Sequence, residues 1–144
     1  MSAVDNRSGQ LLEDALDKLK NDPTLTDLLP DGSGNIHPAP RDDDREADVS
    51  LNVGFAGGSA VGMGRTTLGE RLLRVQLEVS PDYFETKGTY WMYDVLDQVE
   101  SVLEGVGGGG RAPDGRGAGI EPTYDDQQDR YIADATHRYA TVHS

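Results

Sequence analysis

The 144-residue chain has no cysteine, which excludes disulfides, thiolate nucleophiles and cysteine-ligated zinc. It also lacks any apolar run near the ~20 residues of a membrane-spanning helix, so no transmembrane segment is expected. Its opening residues, MSAVDNRSGQ, do not have the basic-then-apolar layout of a secretory signal. Lysine is scarce, with only Lys18, Lys20 and Lys87. Basic charge is outweighed throughout: 13 Lys and Arg stand against 26 Asp and Glu, a formal net charge of −13. Such a balance argues against wrapping nucleic acid, because phosphate binding wants a basic face. The acids are mostly Asp and the bases mostly Arg, a bias like that of proteins from salt-loving microbes. Abundant salt screens the self-repulsion that destabilises such a chain at low ionic strength. An acidic protein of ordinary habitat is the alternative. The length suits one domain over 1–144, with a core that needs no covalent staples.

Apolar spacing then organises the chain. Leu11, Leu12, Ala15, Leu16 and Leu19 form a helical stripe. Asn21 stops that helix, Asp22 is placed to cap the next, and Pro23 fits a first helical turn where no N–H is needed. Leu25, Leu28 and Leu29 continue the buried face until Pro30-Asp31-Gly32. Residues 31–35 read as a loop, and Ile36-His37-Pro38-Ala39-Pro40 as extended chain, since each proline biases its predecessor away from helix. Arg41–Asp48 is a charged loop or strand lead-in.

Val49, Leu51, Val53 and Phe55 alternate on one strand, and Leu73, Val75, Leu77 and Val79 on a second. The two are expected to pair as a hairpin with one packed and one wet face, joined by a mobile tip at about 56–66. Met92, Val95, Leu96, Val99 and Leu103 mark the second main helix, with Tyr83, Phe84, Tyr90, Trp91 and Tyr93 crowding its entrance. Seven glycines in Gly107–Gly119 predict another mobile loop, about 105–119. Ile120–Tyr124 is a short strand candidate. Arg130–Val142 has strand composition but muddled alternation, which predicts a bulge or break. The fold class is therefore α+β: an antiparallel β-sheet with two main helices packed on one face.

No enzymatic constellation is visible, and the chain is read as a non-enzyme with no catalytic, cofactor-binding or metal-binding residues. Ser59–Thr66, SAVGMGRT, departs from a phosphate-binding loop in its first glycine and its lysine, and strand periodicity follows it where a helix is required. His37, His137 and His143 would ligate a metal only if folding gathered them with carboxylates; exposed or packing roles are favoured. Asp42-Asp43-Asp44 and Asp125-Asp126-Asp129 lack calcium-loop spacing and read as solvated acidic surface. No serine sits in a nucleophile-elbow pattern. The remaining candidates are contact residues. Tyr83, Tyr90 and Trp91 read first as core and staple, second as a subunit interface, where Tyr and Trp are enriched. Arg65, Arg71, Arg111 and Arg116 are candidates for meeting an acidic neighbour.

The order of these elements resembles that of tail terminator (tail completion) proteins of long-tailed viruses. The matching features are the opening LLEDALDKLKNDPTLTDLL, the extended Ile36-His37-Pro38, the strand pair Val49–Phe55 and Leu73–Val79, the helix Tyr90–Leu103 and a final strand near the C-terminus. The long glycine-rich insert and the acidity depart from the usual pattern. With the salt-adapted composition, the resemblance implies a tailed virus of a halophilic archaeon. It further implies a structural virion protein, assembled in the host cytoplasm. Copies form a ring, usually of six, that caps the tail tube, stops its polymerisation and joins it to the head-closure or connector protein. DNA passes through the lumen without specific binding, since an acidic lumen repels phosphate. No cofactor and no membrane are involved. A head-closure or adaptor protein of the neck and a small haloarchaeal binding module are the alternatives.

Overall fold

The computed structural model describes residues 8–38, 48–63, 66–104 and 121–143. Its elements are α1 (Ser8–Lys20), α2 (Pro23–Leu28), a 3₁₀ turn (Gly32–Asn35), β1 (Ile36–Pro38), β2 (Val49–Met63), β3 (Thr66–Val79), α3 (Pro81–Leu103), β4 (Thr123–Asp125) and β5 (Arg130–His143). The fold is α+β. One five-stranded sheet has the order β1-β2-β3-β5-β4. All its pairings are antiparallel except that of β1, which lies parallel to β2 with Ile36 opposite Leu51. A parallel neighbour requires a crossover connection between the two strands.

Local chemistry explains the helix boundaries. Asp22 accepts a hydrogen bond from the Leu25 amide at 2.8 Å, with Pro23 in the first turn of α2. Ser80 plays the same part for α3, accepting from the Tyr83 amide at 3.3 Å ahead of Pro81. Within α3, Gly88 has φ +84° and ψ 177°, which breaks the helix into an entrance segment and a main segment. That conformation belongs almost solely to glycine. The break divides the aromatic entrance read from the sequence: Tyr83 and Phe84 precede Gly88, and Tyr90, Trp91 and Tyr93 follow it in the main segment.

The core lies between the helices and one sheet face. Val49, Leu51 and Val53 of β2, Leu73, Val75, Leu77 and Val79 of β3, and Ala133 and Ala135 of β5 all point into it. Leu11, Ala15 and Leu19 of α1, Leu25 and Leu29 around α2, and Met92, Val95, Leu96, Val99 and Leu103 of α3 meet them. Small alanines in β5 leave room for α3, which packs on β5 and β3, while α1 covers β1 and β2. Leu12, Leu16 and Leu28 are only half-buried at the margin of their helices.

The strands differ from the expectation in three ways. First, the tip expected at 56–66 is strand: β2 and β3 stay paired as far as Met63 and Thr66. Glycine and alanine have no alternating pattern to announce a strand, yet the ladder needs only their backbone groups. Second, the irregularity expected in β5 lies in β2, where the register shifts between Phe55 and Gly57, while β5 follows β3 without a shift from Tyr131 to His143. An extra residue at Ala56 is a β-bulge. Third, Phe55 shares the inward face but is 37 % exposed, so the apolar cover ends there. The expected loop at about 105–119 lies outside the described residues.

Candidate functional site

The sheet face away from the core was expected to be wet, but part of it is a closed polar network. Ser50, Asn52, Glu78 and Arg130 are all buried there. Ser50 Oγ donates to Asn52 Oδ1 at 2.9 Å, and Asn52 Nδ2 donates to Glu78 Oε2 at 3.2 Å. Arg130 Nε lies 3.6 Å from Glu78 Oε1, and its guanidinium also donates to the Asp48 carbonyl at 3.4 Å. The three strands β2, β3 and β5 put these residues on one face through their register. A buried carboxylate is tolerable because the guanidinium and amide partner it. The network ties its members to one another across three strands, so its chemistry is that of a strut. Sequence alternation marked Ser50, Asn52 and Glu78 as polar and outward, and Arg130 lay in a stretch of muddled alternation; their burial had no local signal.

Beside it, Arg74, Gln76, Thr123, Asp125, Ile132 and Asp134 line an open groove of about 440 Å³ between β3, β5 and β4. Three of its charged residues are engaged within the chain. Arg74 pairs with Asp134 at 2.7 Å, and Asp125 accepts from the Gln127 amide at 2.9 Å to shape the β4–β5 turn. Tyr124 donates a hydrogen bond to Asp129, which raises the phenol pKa, with Asp129 at φ +56°. Asp125 and Asp129 thus organise a turn. Among the described residues no group of three or more His, Asp or Glu has the placement to hold a metal ion. His37 on β1 is half-buried, and His137 is fully buried on the core face of β5 opposite Leu73. His143 closes β5 opposite Thr67, so the three histidines occupy separate places in the sheet. Asp42, Asp43 and Asp44 lie outside the described residues.

The aromatic contact candidates separate from one another. Trp91 is buried at 8 % exposure and its Nε1 donates to the Leu28 carbonyl at 2.9 Å, tying α3 to the end of α2. Trp91 thus takes the first of its two readings, a core anchor, because its ring covers apolar neighbours while its one donor is satisfied. Tyr83 packs edge-on against it at 5.3 Å, and burial, together with Asp48 and Asp31, raises its pKa. Tyr90, one residue before Trp91 and two after the break at Gly88, is 83 % exposed. Of the three, only Tyr90 presents most of its surface. Phe84 stacks on Tyr131 at 3.9 Å, and Tyr131 also meets Tyr124, an aromatic column that closes the β4 end of the core.

Of the arginine candidates, Arg71 lies on β3 opposite Gly58 and Tyr139. Arg65, Arg111 and Arg116 lie outside the described residues. Arg71 belongs to a feature that spacing alone did not show: a three-stranded ribbon of 57–63, 66–72 and 138–143, continuing the sheet past Phe55. Residues 54–73 and 135–143 contain one acid, Glu70, and three arginines, Arg65, Arg71 and Arg138, in a chain of 26 acids. Charge is therefore divided between an acidic body and a ribbon that holds one acid, Glu70, and two arginines, Arg71 and Arg138, a balance of +1. The described helices include none long and apolar enough to cross a membrane. Comparison of the chain with known protein families gives no match, and no curated protein is similar to it.

Proposed function

We propose that this chain is a structural subunit of a tailed virus, a tail-terminator-type protein whose ring caps the tail tube and joins it to the head connector. One observation carries the reading: opening helix, capped short helix, extended proline segment, long hairpin, second helix and final strand build a single sheet with a helical cover. That is the layout on which the resemblance to tail terminators rests. The division of charge supports it. A strongly acidic body keeps a DNA passage free of sticking, because like charge repels phosphate. Closed rings need a heterologous interface, and a projecting ribbon distinct from the body offers one. The reading places the protein in the virion of a salt-adapted host.

The test is tube capping. Tail tube protein of the same virus is polymerised in molar KCl with increasing amounts of the purified protein, and tube lengths are measured by electron microscopy. Capping predicts that elongation stops, with a ring of extra density at one tube end. Tubes that grow to unchanged length with bare ends overturn the proposal. An obligate monomer in sedimentation would favour the small binding module instead.

A further inference from the structure

The ribbon beyond Phe55 has an edge on each side. Among the described residues, β1 covers β2 only along Leu51–Val53, and β4 covers β5 only along Arg130–Ile132. The Ser80 amide donates to the Asp48 carbonyl at 2.8 Å, which makes 48 and 80 a hydrogen-bonded pair and sets the phase of the ladder. Even residues of β3 then direct their amides to β2, and odd residues to β5. Because β5 follows β3 without a shift, Arg138, Ala140 and Val142 turn their amides and carbonyls away from β3. Past the bulge, Gly57, Ser59 and Val61 pair with even residues of β3, so Gly58, Ala60 and Gly62 turn theirs outward on the opposite side.

Edges of this length are usually blunted by proline, charge or bulges, since they are templates for another strand. The span Gly57–Met63 has neither proline nor charge, and Arg138–His143 has one arginine among β-favouring Tyr, Thr and Val. The ribbon is also where the chain is least acidic. Two acidic bodies repel, so an assembly contact is cheapest where Glu70 is the only acid.

We infer that the ribbon is a head-to-tail interface between copies of this chain, the β5 edge of one copy adding to the β2 edge of the next. Both edges are used once per copy, so the contact is heterologous and repeats until rotation closes a ring. Strands β2 and β5 both run antiparallel to β3 and therefore run the same way. The sixfold rotation of such a ring turns a strand by no more than about 60° and cannot reverse it, so the joint is a parallel ladder. This deepens the ring reading and rests on it for closure, though not for the contact itself.

Complementing half-blocked variants test the inference. Ala60→Pro removes an outward amide on the β2 edge, and Ala140→Pro one on the β5 edge, neither of which serves the β3 ladder. Sedimentation in molar KCl should show wild type as a closed oligomer, each variant as a monomer, and their equimolar mixture as a dimer that grows no further. Variants that keep the wild-type mass overturn the inference and leave the ring reading standing; a monomeric wild type overturns both. A measurement without mutation reads the same contact. Amide exchange at Gly58, Ala60, Gly62, Arg138, Ala140 and Val142 should slow by more than about tenfold in assembled over diluted protein. Equal exchange in the two states overturns the inference.

Discussion

Asn35 offers a sharp test of how the first strand is placed. It is 2 % exposed, and its amide bridges two segments: Oδ1 accepts from the Asp31 amide at 2.7 Å and Nδ2 donates to the Val49 carbonyl at 3.0 Å. The bridge holds the 3₁₀ turn against β2, so that Ile36 enters the sheet parallel to Leu51. Asn35→Ala deletes both bonds, each worth about 1 kcal/mol, and leaves the Val49 carbonyl without that partner at roughly 1 kcal/mol more, a total near 3 kcal/mol. For a domain of this size that is a fall in Tm of about 10 °C. Asn35→Asp keeps the acceptor but turns a second oxygen on the Val49 carbonyl. Once protonated, that oxygen donates instead, so the introduced carboxyl has a folded-state pKa above its unfolded value of about 3.9. A raised acid pKa favours the fold in the protonated form. The deficit against wild type is therefore smallest below about pH 4 and grows as pH rises, by about 1.4 kcal/mol per unit until the folded-state pKa is reached. Urea denaturation in 2 M KCl from pH 4 to 8, with wild type measured alongside, reads both effects. A pH-independent deficit for Asn35→Asp, or a loss under about 1 kcal/mol for Asn35→Ala, refutes the bridge.

Two further outcomes follow from the same chemistry. Gly88→Ala meets no atom within 4 Å of the added carbon, so its cost is the backbone conformation alone, about 1–3 kcal/mol; thermal melts showing no loss would mean that α3 is unbroken there. Raising KCl from low to molar concentration should raise Tm steeply, because screening relieves the repulsion of a −13 chain; a flat Tm across that range sinks the salt-adapted reading.

Wherever chemistry is local, the sequence was legible. Asp22 and Pro23 announce the start of α2 because a cap and a first turn are settled within four residues. The stripes of α1 and α3 and the alternation of β2 and β3 identify core residues, since a period of 3.6 or 2 sorts side chains by face whatever the partner. The aromatic entrance was legible only in outline: its residues are adjacent in sequence, but Trp91 turns inward while Tyr90 turns out. The arginine candidates were chosen for charge alone, and Arg71 became interpretable only once β3 was seen to continue through it.

What the sequence determined by itself is the class of the protein: an α+β chain without cysteine, strongly acidic, with its apolar face and helix caps in place. Only the tertiary structure decided that β1 runs parallel to β2, that residues 56–63 are strand, and that Glu78 and Arg130 are buried together. Each of these depends on a partner far along the chain. Backbone pairing leaves no trace in side-chain pattern where the residues are glycine and alanine. A charged residue reads as exposed until the strand carrying its counter-ion is laid beside it.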